Sequence, residues 1–478
     1  MPIAYIGSED FSKGLVTAVP AHLIEDGATP NCQNIDFSES FGRLTKRKGQ
    51  STLFTANAGS IQVTGLYEYI QADGDTFVIA SSNDDVYNLT GSGTWTSIHN
   101  NASLNGANVN FTTFNDLLII VSENLTTQKW NGAGSSSDLL GTPPSNVKYI
   151  ENHKGRVWMA NSSAGKSRLH FSSIDNAEDW TTSGDSGASY IDVGINDGDQ
   201  ITAIASIGSV LIVWKNTSTW AVYGNKPSNF TVRKISNAVG CVAPKSVVIA
   251  ESFAIFLGQD GVYSARPDGV ALLSYNIKPT IDTISYATKQ IASAGRLRSQ
   301  YWLAIDTDAD SKNDTVYVLD YVYGSWGIYT NIKASVFCRR RAGTLISGGS
   351  DTDIIRLHDD TENDTGSAIN AIWDTKEYHL DTWTNLKQIH DIMMSAAPIT
   401  GKAITISHII NGITQGTTLT FTLTPTSTED KVFLSKQHVP DTSYGQYIKF
   451  RFSNNETDAR IKIYGYSIAA NVLERQNG

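Results

Sequence analysis

The sequence predicts an all-β chain: a β-propeller of about seven blades over residues 55–367, preceded by an extended N-terminal arm (1–54) and followed by a C-terminal β-sandwich (368–478). Three observations carry this. Helical periodicity is almost absent, and short apolar runs are divided by Gly, Asn, Asp and Ser, the punctuation of strands and turns. One two-hairpin unit recurs through the middle of the chain at steps of roughly 40–50 residues, the spacing of four-stranded propeller blades. Beyond Ile369 the pattern becomes a clean alternation, the mark of half-buried antiparallel strands.

The recurring unit is an apolar strand, a polar turn, and a second strand bearing Tyr or Trp. Val78, Leu118, Val157, Leu211, Ile255, Trp302 and Leu345 occupy equivalent places in its copies. One such sheet cannot cover both its faces, so neighbouring sheets must pack on one another around an axis. The aromatics of the second hairpin strand, such as Tyr87, Trp130, Trp220 and Tyr263, are expected between blades. Lys278-Pro279, with Ile281 and Ile284 three apart, predicts one short helix with proline in its first turn. In the last third, Leu419, Phe421 and Leu423, then Ile448, Phe450 and Phe452, then Ile461 and Ile463 alternate with polar residues. Roughly seven strands of this kind suit a sandwich.

Composition bounds the function. Charged residues make up 18% of the chain and aromatic residues 10%. Such a chain is not disordered and has the means for a sizeable core. The net charge of −10 argues against a surface that grips nucleic-acid phosphates. The opening Met1-Pro-Ile-Ala-Tyr-Ile-Gly-Ser-Glu-Asp10 has neither a basic stretch nor an apolar one, so no secretory signal is expected. No apolar run approaches ~18 residues, so no membrane anchor is expected. Cys32, Cys241 and Cys338 have no metal or disulfide spacing and are expected as small buried side chains.

Chemistry is sparse. There is no Gly-x-Ser-x-Gly elbow, no His-Glu-x-x-His and no phosphate loop, and the 9 histidines are scattered. The chain is therefore expected not to be an enzyme, with no catalytic residues and no required cofactor. One loop invites a metal. Asp306, Asp308, Asp310 and Asp314 place oxygens at relative positions suited to wrapping Ca²⁺. The loop resembles the calcium hairpins of integrin-type propellers, although Ser311 stands where those need glycine. The basic run Arg43, Lys46, Arg47 and Lys48 reads as a partner-docking arm. Arg339-Arg340-Arg341 reads as alternating along a strand, with a guanidinium free for an interface carboxylate. Arg43, Arg47, Arg339 and Arg341 are thus the candidate interface residues.

The pattern Asn34-Ile-Asp36, Gly42-Arg-Leu44 and Arg47-Lys-Gly49 resembles the opening of tailed-bacteriophage tail proteins of the nozzle and stabilisation-protein type. Further stretches are similar: Leu169-His-Phe-Ser-Ser173 leading to Glu178-Asp-Trp-Thr181, Trp214-Lys-Asn-Thr-Ser-Thr-Trp220, and Gly240-Cys-Val-Ala-Pro-Lys-Ser246 before Phe256-Leu-Gly-Gln-Asp-Gly-Val-Tyr263. The resemblance spans most of the expected propeller. It implies a virion structural protein, assembled in the host cytoplasm, that closes into a ring expected to be a hexamer. Such a ring extends the DNA-exit channel below the portal and adaptor, helps retain the genome, and docks tail fibres or spikes. DNA would pass without sequence-specific binding, along a wall that is mostly acidic or neutral. Two alternatives stand beside it: a carbohydrate-binding or depolymerising tail propeller that recognises the host, and a cytosolic scaffold propeller.

Overall fold

A computed structural model describes residues 3–39, 41–55, 57, 61–90, 93–359, 361–380, 384–425, 433–439 and 444–473. The extreme ends of the expected arm and sandwich lie outside these residues.

Among the described residues, seven four-stranded antiparallel sheets form the propeller. Blades one to six are consecutive in the chain, at 63–100, 109–138, 149–192, 201–236, 248–272 and 293–330. The seventh combines Ala334–Arg339, Leu345–Gly349 and Ile355–His358 with Gln50–Phe54 from before blade one. The ring is therefore closed by hydrogen bonds between strands from opposite ends of the propeller sequence, with Ile355 opposite Phe54 and His358 opposite Gln50. The first strand of blade seven returns against Val63–Ile70 of blade one. All seven equivalent positions, from Val78 to Leu345, fall in the second strand of their sheets.

Burial follows the blade boundaries. Each neighbouring pair of sheets shares an apolar cluster, as with Tyr69, Ile79 and Trp130 between blades one and two, or Trp214 and Phe256 between four and five. The expected helix is present at Lys278–Asp282, with Ile281 buried, and a second short helix follows at Tyr286–Gln290.

The C-terminal third forms two facing sheets. One is built on Leu386–Ala396 and Lys462–Leu473, the other on Ala403–Ile410, Ile413–Thr422 and Ile448–Asn454. Leu419, Phe421, Leu423, Ile448, Phe450, Phe452, Ile461 and Ile463 are all buried, as their alternation predicts.

The described residues of the segment 1–54, expected as an extended docking arm, are divided between the two domains. Ile3–Ser8 pairs along its whole length with Lys462–Leu473, and Leu44–Lys46 and Ile35–Asp36 extend the same sheet. Cys32–Gln33 joins the opposite sheet beside Ala371–Asp374. The physical reason is an apolar cluster that runs from the sandwich interior (Trp373, Phe452, Tyr466) through Phe11, Ile35 and Phe37 to Tyr301 and Trp326 of blade six. Phe11 meets Trp373 edge-on at 5.1 Å between ring centroids. Removing these apolar side chains from water is worth about 1.5–3 kcal/mol each, which a free arm would forgo. Cys32 and Cys241 are buried and Cys338 is half-buried, and burial pushes all three thiols up to about 12.

Two imidazoles are buried in the propeller. His153 meets the Ser206 hydroxyl at 2.7 Å, and His358 meets that of Ser347 at 2.7 Å, beside Trp302 and Phe337 of the neighbouring and same blades. Burial, with smaller help from nearby cations, lowers His153 to about 4 and His358 to about 3. Both stay neutral when folded, whereas in the unfolded chain they take up protons near pH 6.5. Stability is therefore complete above about pH 6.5 and is lost as the pH falls from there toward the folded values. Thermal melts should drop steadily between pH 6.5 and 4, and His358→Gln should make that drop shallower.

Candidate functional site

The basic run at the end of the N-terminal segment forms an internal joint. Arg47 is 2% exposed. A guanidinium carries five N–H donors, and all of them are engaged here. Nε donates to Asn34 Oδ1 at 2.7 Å. Nη1 donates to Lys48 O at 2.9 Å and Asp364 Oδ1 at 3.0 Å. Nη2 donates to Thr330 O at 2.9 Å and Asp364 Oδ2 at 2.6 Å. Asn34, with φ of 57°, is equally committed. Its amide donates to Thr330 Oγ1 and Asn370 O, and its Oδ1 accepts from Thr330 N. Lys46 is 1% exposed and donates to Asn454 Oδ1 and Glu456 O; burial, then Arg47, lowers it to about 8. Gly49 completes the joint, because a Cβ there would lie 1.8 Å from Asn363 O. The motif that carries the family resemblance is thus the seam between N-terminal segment, blade six and sandwich.

This corrects the reading of Arg47 as an interface residue, since it has no donor left for a partner. Arg43 remains exposed, its guanidinium 4.8 Å from the Tyr464 ring centroid at the edge of a 470 Å³ hollow with Glu9 and Met393. The three arginines 339–341 do not alternate along a strand. The strand ends at Arg339, and Arg340 and Arg341 enter the hairpin turn, where Arg340 pairs with Glu68 at 3.1 Å and the Arg341 amide donates to the same carboxylate. The Arg339 and Arg341 side chains are exposed.

The acidic hairpin gathers three of its four carboxylates. Asp306, Asp308 and Asp310 offer oxygens within 4.8 Å of one another. Asp314 turns away and accepts from Thr307 N and Oγ1, so the four-oxygen cradle expected for Ca²⁺ is not assembled. Asp306 is 1% exposed and accepts from Ala309 N and Ser311 N at 2.7 and 2.9 Å, which organises the loop from within.

A different surface stands out by its exposed apolar side chains. The N-terminal segment, the Tyr275–Ile277 turn after blade five and the hairpin tip of blade six frame a groove of about 620 Å³. Val19, Leu23, Phe41, Tyr275, Val322 and Tyr323 border it, and all six are exposed. Phe41 and Tyr323 hold each other at 4.4 Å between centroids. Asp320 Oδ1 accepts from Val322 N and Tyr323 N, fixing the tip that presents them. Ile24 and Ala28 are buried residues of the lining, and a Lys13–Glu25 pair at 2.9 Å lies on the polar rim. An apolar centre with a charged margin is the anatomy of a protein contact. Sequence reasoning misses it because these residues share no periodicity. The one local signal is Val322-Tyr323, an apolar pair at the tip of a turn.

No family model matches the sequence, and no curated protein matches it. Several solved structures are similar in shape. Streptogramin B lyase is 11% identical with a TM-score of 0.44, over 65% of this chain and 97% of that one. The WD40 domain of Neurospora crassa Pan2 is 9% identical with a TM-score of 0.43, over 67% and 98%. The extracellular domain of the B. thetaiotaomicron one-component system BT4673 is 10% identical with a TM-score of 0.46, over 94% and 62%. At these identities and TM-scores the likeness is one of shape only, and the β-propeller class rests on the seven four-stranded sheets themselves. The likeness also corrects one expectation. Because these similar structures include an enzyme, a lyase, the statement that the chain is not an enzyme is withdrawn; the likeness carries no activity to it either.

Two outcomes test the joint and the hairpin. Arg47→Ala leaves Asp364 buried without its cation and should cost about 3–5 kcal/mol in chemical denaturation, while Arg43→Ala should cost less than about 1 kcal/mol. Asp306→Ala should cost about 1–3 kcal/mol through two orphaned amides, while Asp310→Ala, exposed at the loop tip, should leave the stability within about 0.5 kcal/mol of wild type.

Proposed function

We propose that the chain is a structural subunit of a bacteriophage tail, of the nozzle or hub type, that closes into a ring around the DNA-exit path. The observation that carries this reading is the apolar groove bordered by Leu23, Phe41, Tyr275 and Val322, on a body whose N-terminal segment, propeller and sandwich share one core. A ring subunit needs such a body, because a flexible arm would lose its orientation at every contact. It also needs a surface that receives a different patch of the next copy, so that successive rotations close. The resemblance at Asn34-Ile-Asp36 and Arg47-Lys-Gly49 supports the tail assignment from the sequence side.

In this reading the exposed arginines 43, 339 and 341 meet carboxylates on portal, adaptor or fibre proteins, and the virion tail is where the protein works. The net charge of −10 fits a wall past which DNA slides without being held.

Native mass spectrometry and negative-stain imaging of the full chain, alone and with its portal and adaptor proteins, should show closed rings of about six copies. Phe41→Asp combined with Val322→Asp should leave the melting curve unchanged and abolish the rings. A wild-type chain that stays monomeric with those proteins present, or a double variant that assembles as well as wild type, would overturn the reading.

A further inference from the structure

A second cluster lies on the sandwich side of the N-terminal segment, and neither the fold nor the proposed ring uses it. Residues 377–379 run extended along the sheet edge. Tyr378 exchanges backbone hydrogen bonds with Ile448 at 2.8 and 3.2 Å, and its ring is buried, with its hydroxyl on that of Tyr466. Successive side chains of an extended segment point to opposite sides. With Tyr378 facing inward, Glu377 and His379 both face outward, two positions apart. His22 meets them from above. It sits in a turn closed by Leu23 N donating to Pro20 O at 2.9 Å. That turn is tied down by Glu377 N donating to Ala21 O at 3.2 Å and by a 2.6 Å Lys376–Asp26 pair.

The result brings two imidazoles and a carboxylate together from segments remote from each other in sequence. The His22 and His379 rings are stacked, 4.9 Å between centroids and 14° between planes, and because imidazole lone pairs lie in the ring plane the exposed His22 ring has to turn out of this stack for both to reach one ion. One ligand atom from each of His22, Glu377 and His379 lies within 4.8 Å of the others. Among the described residues, none of the three side chains is engaged in a hydrogen bond, so their lone pairs are uncommitted.

We propose that His22, Glu377 and His379 bind one divalent first-row transition metal of the zinc type, which pins the N-terminal turn to the edge of the sandwich. The donor set decides the class of ion. Two imidazole nitrogens with one carboxylate oxygen suit zinc and its neighbours, whereas calcium and magnesium take oxygen ligands. Three protein ligands leave a fourth tetrahedral position, which water fills. Binding releases the protons of any charged imidazole and joins two distant parts of the chain, so the ion adds to the stability of the folded state and not of the unfolded one.

The test uses the full chain after EDTA treatment and dialysis, with zinc chloride as the probe. Calorimetric titration should show one zinc per chain, and melting should shift upward with saturating zinc. His22→Ala and His379→Ala should each weaken binding at least roughly tenfold and remove the melting shift, as expected when one of three ligands is lost. His22 is exposed in a turn, so its variant keeps the fold and the metal-free melting curve. Asp308→Asn, in the acidic hairpin, should bind zinc as wild type does. A wild-type chain that takes up no zinc at ~100 µM, or one whose zinc affinity and melting shift survive both histidine substitutions, would overturn the assignment.

Discussion

The guanidinium of Arg47 is the point at which three parts of the chain meet. Its donors reach the N-terminal segment at Asn34, the last strand of blade six at Thr330, and the propeller–sandwich connection at Asp364. A buried charge of this kind is tolerated only when every donor is satisfied and its counter-ion is held in place. Asn34 supplies that constraint, since its own amide bridges Thr330 and Asn370 on either side of the joint. Displacing any one of these segments would strand a buried charge or amide, so they stay together or are lost together.

From that joint the architecture follows in both directions. Just beyond Arg47, the strand Gln50–Phe54 closes blade seven, so the segment that is anchored at the guanidinium also shuts the propeller ring. In the other direction, Leu44–Lys46 and Ile3–Ser8 complete a sheet of the sandwich. The apolar cluster around Trp373, Phe11 and Trp326 lies beneath all of it. The chain is therefore not a propeller with appendages. The exposed groove beside Phe41 and the His22 turn both draw on this shared N-terminal segment, which packs against blades and sandwich alike.

Much of the fold was legible in the sequence. The blade repeat could be read because every copy needs the same apolar second strand, and the seven positions from Val78 to Leu345 mark it one blade at a time. The sandwich could be read because one wet face imposes a period of two on Phe421, Phe450 and Ile463. Local pattern failed where a residue's fate depends on distant partners. Arg47 looks like a solvated cation until Asp364 is placed beside it, and Arg340 and Arg341 look like strand residues until Glu68 caps their turn. The acidic hairpin was visible as a cluster, but the rotation of Asp314 toward Thr307 was not.

Spacing and composition suffice for the all-β class, the blade rhythm, the alternating face of the sandwich and the low charge. Three outcomes emerge only once the chain is folded: the described part of the N-terminal segment belongs to both domains, Lys46 and Arg47 become a buried joint, and His22 stands over Glu377 and His379. Those outcomes rest on contacts between residues hundreds of positions apart. Periodicity reports which face of a strand is dry, but it carries no information about which remote segment will cover it.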